Sequence, residues 1–89
     1  MTDSLSDADV ADRARRIVAT MAPEAPQLDD LSGDQRLIED LGFDSIRLME
    51  LTVALERGFG LPRYRPEQLA DVRTVDDVVT LVNTGLAAR

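Results

Sequence analysis

The residues best placed to do chemistry are Asp44 and Ser45, which stand side by side where a predicted helix begins. They supply a carboxylate and a hydroxyl. A serine hydroxyl becomes a nucleophile at neutral pH only beside a base such as histidine or lysine. The 89-residue chain has no histidine, and all ten of its basic residues are arginine. A hydrolase built on these two residues is therefore disfavoured, and we expect a protein that is not an enzyme.

The amino-acid composition excludes several other classes of function. The chain has neither cysteine nor histidine, so disulfides, thiolate nucleophiles and Cys/His metal sites are excluded, and no metal site is predicted. Its net charge of −7 would repel the phosphate backbone of a nucleic acid. We find no apolar run of membrane-spanning length and no apolar leader, so we expect a cytoplasmic protein that does not contact a membrane.

Length and apolar content predict one small helical domain over residues 1–89, with residues 1–5 flexible. Only two Phe, one Tyr and no Trp accompany 44% hydrophobic residues, so the core must be aliphatic, which suits packed helices. Helical spacing of apolar residues recurs between caps and helix breakers. The predicted helices cover residues 7–22, 45–57 and 67–70, and a last one includes 75–86. The fold class is all-α, a small bundle of three longer helices and one short helix.

Capping residues mark the ends of these helices. Ser6 with Asp9, and Thr74 with Asp77, have the spacing of a capping box. Gly58 and Gly60 are expected to end the second helix.

A long ordered loop is expected between the first two helices, from Pro23 to Gly33. It leads into a short helical turn over residues 34–41. In that turn Leu37, Ile38 and Leu41 are expected on one side.

The second helix is apolar on two sides. One side is expected to face the core and the other is either buried in the bundle as well or exposed as a docking surface. The core side consists of Leu48, Leu51, Leu55 and Phe59, and the other side consists of Ile46, Met49 and Val53.

The run from Ile38 to Leu51, whose centre reads Leu-Gly-Phe-Asp-Ser-Ile, resembles the attachment-site motif of acyl and peptidyl carrier proteins. The core of that motif is an Asp-Ser-Leu or Asp-Ser-Ile step that opens a helix. The resemblance covers most of the chain, because the order of helices, the aromatic Phe59 and the Thr74-Val75 start of the last helix match as well.

The resemblance implies that Ser45 receives a 4′-phosphopantetheine group from coenzyme A through a phosphopantetheinyl transferase, and that the thiol of this arm carries acyl thioesters. The first turn of a helix also suits a phosphodiester, because its backbone N–H groups are unpaired. Asp44 is expected to cap the helix, and in the family the matching aspartate also helps to engage the Mg²⁺ of the modifying enzyme. Gly42 is expected to be left-handed.

The resemblance also implies a partner surface on the second helix, on which acyl-loading and condensing enzymes dock, and a monomeric carrier. The expected partner-binding residues are Phe43, Ile46, Met49, Glu50 and Val53. For Phe43 a second position, packed on the loop, remains open.

The charges of the second helix differ from those of fatty-acid carriers, which keep this helix strongly acidic. Arg47 and Arg57 instead suit a discrete carrier of secondary metabolism, such as polyketide or antibiotic biosynthesis. An aryl or peptidyl carrier of nonribosomal synthesis is an alternative, because these often have an aliphatic-Arg step after the serine, although Phe43 replaces the second glycine of their Gly-Gly-Xaa-Ser form. An unmodified acidic helical interaction module is an alternative of another class.

Overall fold

The structure is a computed structural model that describes residues 7–23 and 31–87. Within these residues the chain forms four helices and no strand, which confirms the all-α class. The helices are α1 (Asp7–Met21), α2 (Ser45–Phe59), α3 (Pro66–Leu69) and α4 (Val75–Ala87). The segment predicted to be flexible, the Ser6 cap and most of the predicted loop after α1 lie outside the described residues. Among the described residues, no helix is long and apolar enough to cross a lipid bilayer.

The end of α2 lies two residues beyond its predicted position, because Gly58 is part of the helix. A Cβ at Gly58 would lie 3.1 Å from Ile17 Cδ1, so the glycine allows α1 to approach α2 closely. The helix ends at Gly60, which has a φ of 65° and whose N–H donates to the carbonyl of Glu56. A left-handed glycine is a common helix end because it has no Cβ to clash.

The segment over residues 36–42 is a turn stabilised by backbone hydrogen bonds from Asp40 N–H to the Arg36 carbonyl, 2.9 Å, and from Gly42 N–H to the Ile38 carbonyl, 3.2 Å. Leu37 is buried here but Ile38 is 56% exposed, so the prediction that they share one side was wrong. Successive residues of a helical turn point about 100° apart, which turns Ile38 away from its buried neighbour.

The core lies where α1 packs against α4 and α2. It is mainly aliphatic, as predicted, and no charged residue of the described segments is buried in it. Its helical members are Val10, Ala14 and Val18 of α1, Leu51, Leu55 and Phe59 of α2, and Val75, Val78 and Val82 of α4.

The turn before α2 is tied to the start of α4 by backbone hydrogen bonds. Leu37 N–H donates to the Arg73 carbonyl at 2.9 Å, Val75 N–H to the Gln35 carbonyl at 3.1 Å, and Asp76 N–H to the Gly33 carbonyl at 2.8 Å. An isolated antiparallel bridge joins the same two segments. These bonds hold the chain that leads to Ser45 against the bundle.

Candidate functional site

Asp44 is the N-cap of α2, as predicted. Its backbone is extended, with φ −109° and ψ −178°, and its Oδ1 accepts a hydrogen bond of 2.8 Å from the Arg47 N–H. The Asp44 carbonyl accepts the Leu48 N–H at 2.9 Å, the first bond of the helical ladder. The cap satisfies one of the amides that a helix leaves unpaired at its start.

Phe43 and Gly42 bring the chain to this cap. Gly42 has a φ of 79°, which confirms the expected left-handed conformation. The Phe43 side chain is 2% exposed, and its N–H donates to the Leu37 carbonyl at 2.9 Å. Of the two positions expected for Phe43, the structure shows the packed one. Its ring is therefore not available to a partner at the surface. Burial of an aromatic ring in the apolar core is strongly favourable.

Ser45 is the first residue of α2 and is exposed. The Asp44 side chain accepts the Arg47 N–H, and the Asp44 carbonyl accepts the Leu48 N–H. The backbone amides of Ser45 and Ile46 come before these two in the chain. A hydroxyl in this position is open to an enzyme from solvent, and the positive end of the helix dipole favours an attached anion. The local structure thus fits a phosphodiester at Ser45. No group of acidic residues in the described segments is arranged to hold a metal ion.

The second apolar side of α2 is a surface rather than core. Ile46 is 71% exposed, Met49 66% and Val53 45%, whereas Leu55 on the opposite side is 1% exposed. The alternative in which both sides are buried is therefore wrong. We call Ile46, Met49 and Val53 the apolar stripe. Leu48, expected in the core, is only partly buried because it borders two spaces described below.

Charged residues flank the apolar stripe. Arg47 Nη1 lies 3.3 Å from Glu50 Oε1, and both side chains are about half exposed, so this pair contributes little to stability. Arg57 is exposed one turn after Val53. The stripe is therefore bordered by charges of both signs, as expected for a carrier whose second helix is not purely acidic.

Two spaces border α2, and Leu48, three residues after Ser45, lines both of them. The first is an apolar cavity of about 80 Å³ between α2, α3 and α4, lined mainly by leucines and valines. The second is a groove of about 480 Å³ between the turn before α2 and the segment that joins α3 to α4. Leu37, Leu48 and Val72 line both spaces. The groove is also lined by Arg36, Ile38, Glu39, Arg73, Thr74 and Asp77.

Sequence reasoning did not find the groove. Arg36 and Arg73 lie on segments that are far apart in the chain, and only the backbone bonds between the two segments bring them together. No local spacing in the sequence signals this contact. An exposed arginine in a polar segment otherwise indicates only a solvated surface.

Comparison with known proteins agrees with the geometry. The family model described as "Phosphopantetheine attachment site" matches residues 12–82. The chain is 37% identical over 76 residues to an acyl carrier protein of Campylobacter hominis, which covers 83% of this chain and 90% of that protein. It is 33% identical over 85 residues to acyl carrier protein 3 of Ralstonia nicotianae, covering 96% and 94% respectively.

A third relative is the anthracycline acyl carrier protein DpsG of Streptomyces peucetius, which is 38% identical over 65 residues, or 73% of this chain and 74% of that protein. The match to the attachment-site model extends over most of the chain and includes α2 with its capped start. The chain belongs to the acyl carrier protein family, and it is a carrier of acyl groups on 4′-phosphopantetheine rather than an enzyme.

Proposed function

We propose that Ser45 carries the 4′-phosphopantetheine arm and that the protein serves a polyketide or related pathway of secondary metabolism. The observation that carries the site assignment is the exposed Ser45 hydroxyl at the capped start of α2, within the matched residues 12–82. Ser45 Oγ is the atom that forms the bond to the phosphorus of the pantetheine arm, while the pyrophosphate P–O bond of coenzyme A breaks and adenosine 3′,5′-bisphosphate leaves. Its proton leaves to the transferase, because this chain has no histidine or lysine to accept it.

Enzymes that load and extend the acyl group dock, in this proposal, on α2. The apolar stripe supports it, since three large apolar side chains in solvent, bordered by charges, have the composition of an interface. Glu50 lies beside the stripe and is proposed as a further contact with these enzymes. Phe43 is not proposed as a contact, because its side chain is buried.

The pathway is proposed from two independent features. Arg47 and Arg57 make α2 mixed in charge, and one relative is an anthracycline carrier by name. The names of the relatives favour an acyl over an aryl or peptidyl carrier, and the attachment-site match disfavours an unmodified interaction module. We also propose that the protein is a monomer and is located in the cytoplasm. Sedimentation analysis measures its oligomeric state.

The attachment site is tested by incubating the protein with coenzyme A and a promiscuous phosphopantetheinyl transferase, then measuring the intact mass. We expect one added arm on the wild-type protein and none on Ser45→Ala. Ser32→Ala, at another exposed serine, is the matched control and should be modified like wild type. Replacing the exposed Ser45 hydroxyl should change the free energy of unfolding by no more than about 0.5 kcal/mol. Modification of Ser45→Ala, mapped by peptide mass spectrometry to another serine, would overturn the assignment.

A further inference from the structure

The last turn of α2 and the segment that follows it carry three exposed arginines, Arg57, Arg63 and Arg65. We call these three residues the basic end. We propose that the basic end is an interaction surface for acidic protein partners, and that an enzyme docked on the apolar stripe presents carboxylates to these arginines. This inference rests on the proposed docking on α2. It adds the kind of surface that the partner presents and the direction in which the partner lies along the helix.

A hydrogen bond across the end of α2 brings the basic end together. The Tyr64 N–H donates to Glu56 Oε2 at 2.7 Å, which holds the segment after α2 against the last turn, next to Arg57. Neighbouring side chains of an extended segment point to opposite sides. Tyr64 is buried, so Arg63 and Arg65, on either side of it, point to solvent.

The arginines of the basic end are not engaged within the protein. Residues 57–65 include these three arginines and no acidic residue. In the part of the chain that the structure describes, their guanidinium groups enter no ion pair and no hydrogen bond. Four other arginines each lie 3.9 Å or less from a carboxylate oxygen, namely Arg15, Arg16, Arg36 and Arg47. An unpaired guanidinium keeps five N–H donors in a planar fork that matches a carboxylate.

The acidic residues next to the basic end do not pair with it. Glu56 directs its carboxylate onto the Tyr64 N–H. Glu67 of α3 is exposed and forms no ion pair with a described residue. The donors of the basic end are therefore available to a carboxylate from another protein.

The basic end can attract an acidic partner although the chain has a net charge of −7. Asp44, at the start of α2, lies 13 residues before Arg57, a rise of about 20 Å along the helix. The Debye length is about 10 Å at 0.1 M salt, so the acidic charges near Ser45 are largely screened at the basic end. A partner carboxylate placed there meets mainly the nearby guanidinium groups.

The basic end also continues the apolar stripe. Arg57 follows Val53 by four residues and so lies one turn further along the same side of α2. An enzyme that covers the stripe therefore meets the negative charge of Asp44 near Ser45 and positive charge at the other end. Because a reversed enzyme would set like charges against each other, the two signs fix the direction of docking.

The chain contains no lysine, which allows a direct test. Arg57→Lys and Arg63→Lys each keep the positive charge and add a single side-chain amine, which a carbodiimide couples to a carboxylate of the probe peptide hexaglutamate. Arg16→Lys is the matched control, because Arg16 is exposed but already lies 2.9 Å from Asp12. Peptide mass spectrometry measures the coupling at each position.

At 0.1 M NaCl we expect about tenfold more coupling at positions 57 and 63 than at position 16. The difference should disappear at 1 M NaCl, where the Debye length is about 3 Å. Equal coupling in all three variants at 0.1 M NaCl would overturn the proposal. Coupling at positions 57 and 63 to a second copy of the carrier, with no peptide present, would also overturn it, because the carrier itself would then be the occupant.

The acyl-loading enzyme of the pathway provides a second measurement. Arg57→Glu combined with Arg63→Glu should lower kcat/KM for acyl transfer to the carrier by about tenfold, through KM, and should flatten its dependence on salt. Arg16→Glu should change neither. Urea denaturation verifies that the exposed substitutions leave the fold intact.

Met49→Glu in the same transfer assay separates the basic end from docking on α2. If Met49→Glu lowers transfer and the arginine variant does not, the basic end is not a partner surface, and docking on α2 stands. If neither variant lowers transfer, docking on α2 is wrong and the proposal for the basic end falls with it.

Discussion

The backbone N–H of Tyr64 donates a hydrogen bond of 2.7 Å to the carboxylate of Glu56, eight residues earlier in the chain. This bond folds the segment after α2 back along the helix. The Tyr64 ring is then 9% exposed, and its Oη lies 3.6 Å from the position of a Cβ at Gly85 of α4. The pair thus connects the carboxyl-terminal halves of α2 and α4, opposite the end that carries Ser45.

The Tyr64 phenol should titrate at unusually high pH. Burial of the ring, followed by the negative charge of Glu56, raises its pKa from 10.0 to about 12. The unfolded chain releases the same proton near pH 10, so the contribution of the neutral buried phenol to stability is complete below pH 10 and is lost as the pH rises toward 12. Near-ultraviolet absorbance measures this directly, because the chain has one Tyr and no Trp.

Glu56→Gln separates the two causes of that shift. The glutamine retains an oxygen that can accept the Tyr64 N–H but removes the charge, so the pKa of Tyr64 should fall while remaining above 10.0, because burial persists. A wild-type pKa of Tyr64 at its ordinary value would show that the ring is solvated.

Tyr64→Phe should preserve or increase stability. Within the described part of the chain the Tyr64 oxygen is buried without a hydrogen-bond partner, and removing such a group relieves a desolvation cost of about 1–3 kcal/mol. We expect the free energy of unfolding, measured by urea denaturation, to be equal to or greater than that of wild type. A clear loss of stability would indicate a hydrogen bond from Tyr64 Oη in the folded protein.

The two sides of α2 should respond differently to substitution. Met49→Glu, on the exposed stripe, should change the free energy of unfolding by no more than about 0.5 kcal/mol while sharply reducing acyl transfer by the enzymes of its own pathway. Leu55→Ala, at a residue 1% exposed, should cost about 2–5 kcal/mol through the cavity that it leaves. Denaturation and transfer assays on both variants provide the comparison.

Met49 also lines the apolar cavity, so a second variant, Ile46→Glu, is made at a residue that is exposed and does not line that cavity. Normal transfer in both stripe variants would move the partner surface away from α2. The carrier function would stand, because it depends on the family match and not on the stripe.

Asp77 should make the start of α4 sensitive to acid. Hydrogen bonds from the N–H groups of Arg73 and then Thr74 lower the pKa of Asp77 below 3.8. The stabilisation that its carboxylate provides is therefore present above pH 3.8 and is lost as the pH falls through the lower, folded-state pKa. Asp77→Asn should weaken this acid dependence, which denaturation across a pH series measures.

Thr74→Ala, which removes the hydroxyl that accepts the Asp77 N–H, should lower the free energy of unfolding by about 1 kcal/mol at neutral pH.

The local features of this protein could be read from the sequence. The caps at Asp44 and Thr74 and the left-handed Gly42 were predicted because each depends on residues within one turn of its own position. The same holds for the helix start at Ser45, where the Asp44 cap sets the backbone. These features place a serine at a helix start, and the motif around it identified the family.

The burial of individual side chains and the contacts between distant segments could be determined only from the tertiary structure. Periodicity left the apolar stripe undecided between burial and exposure, and it placed Ile38 with Leu37, from which the structure separates it. The position of Phe43 was likewise left open, and the groove at Arg73 was not foreseen. Burial and contact depend on which distant segment packs against a residue, and in this chain backbone bonds between the turn before α2 and the start of α4 decide that packing.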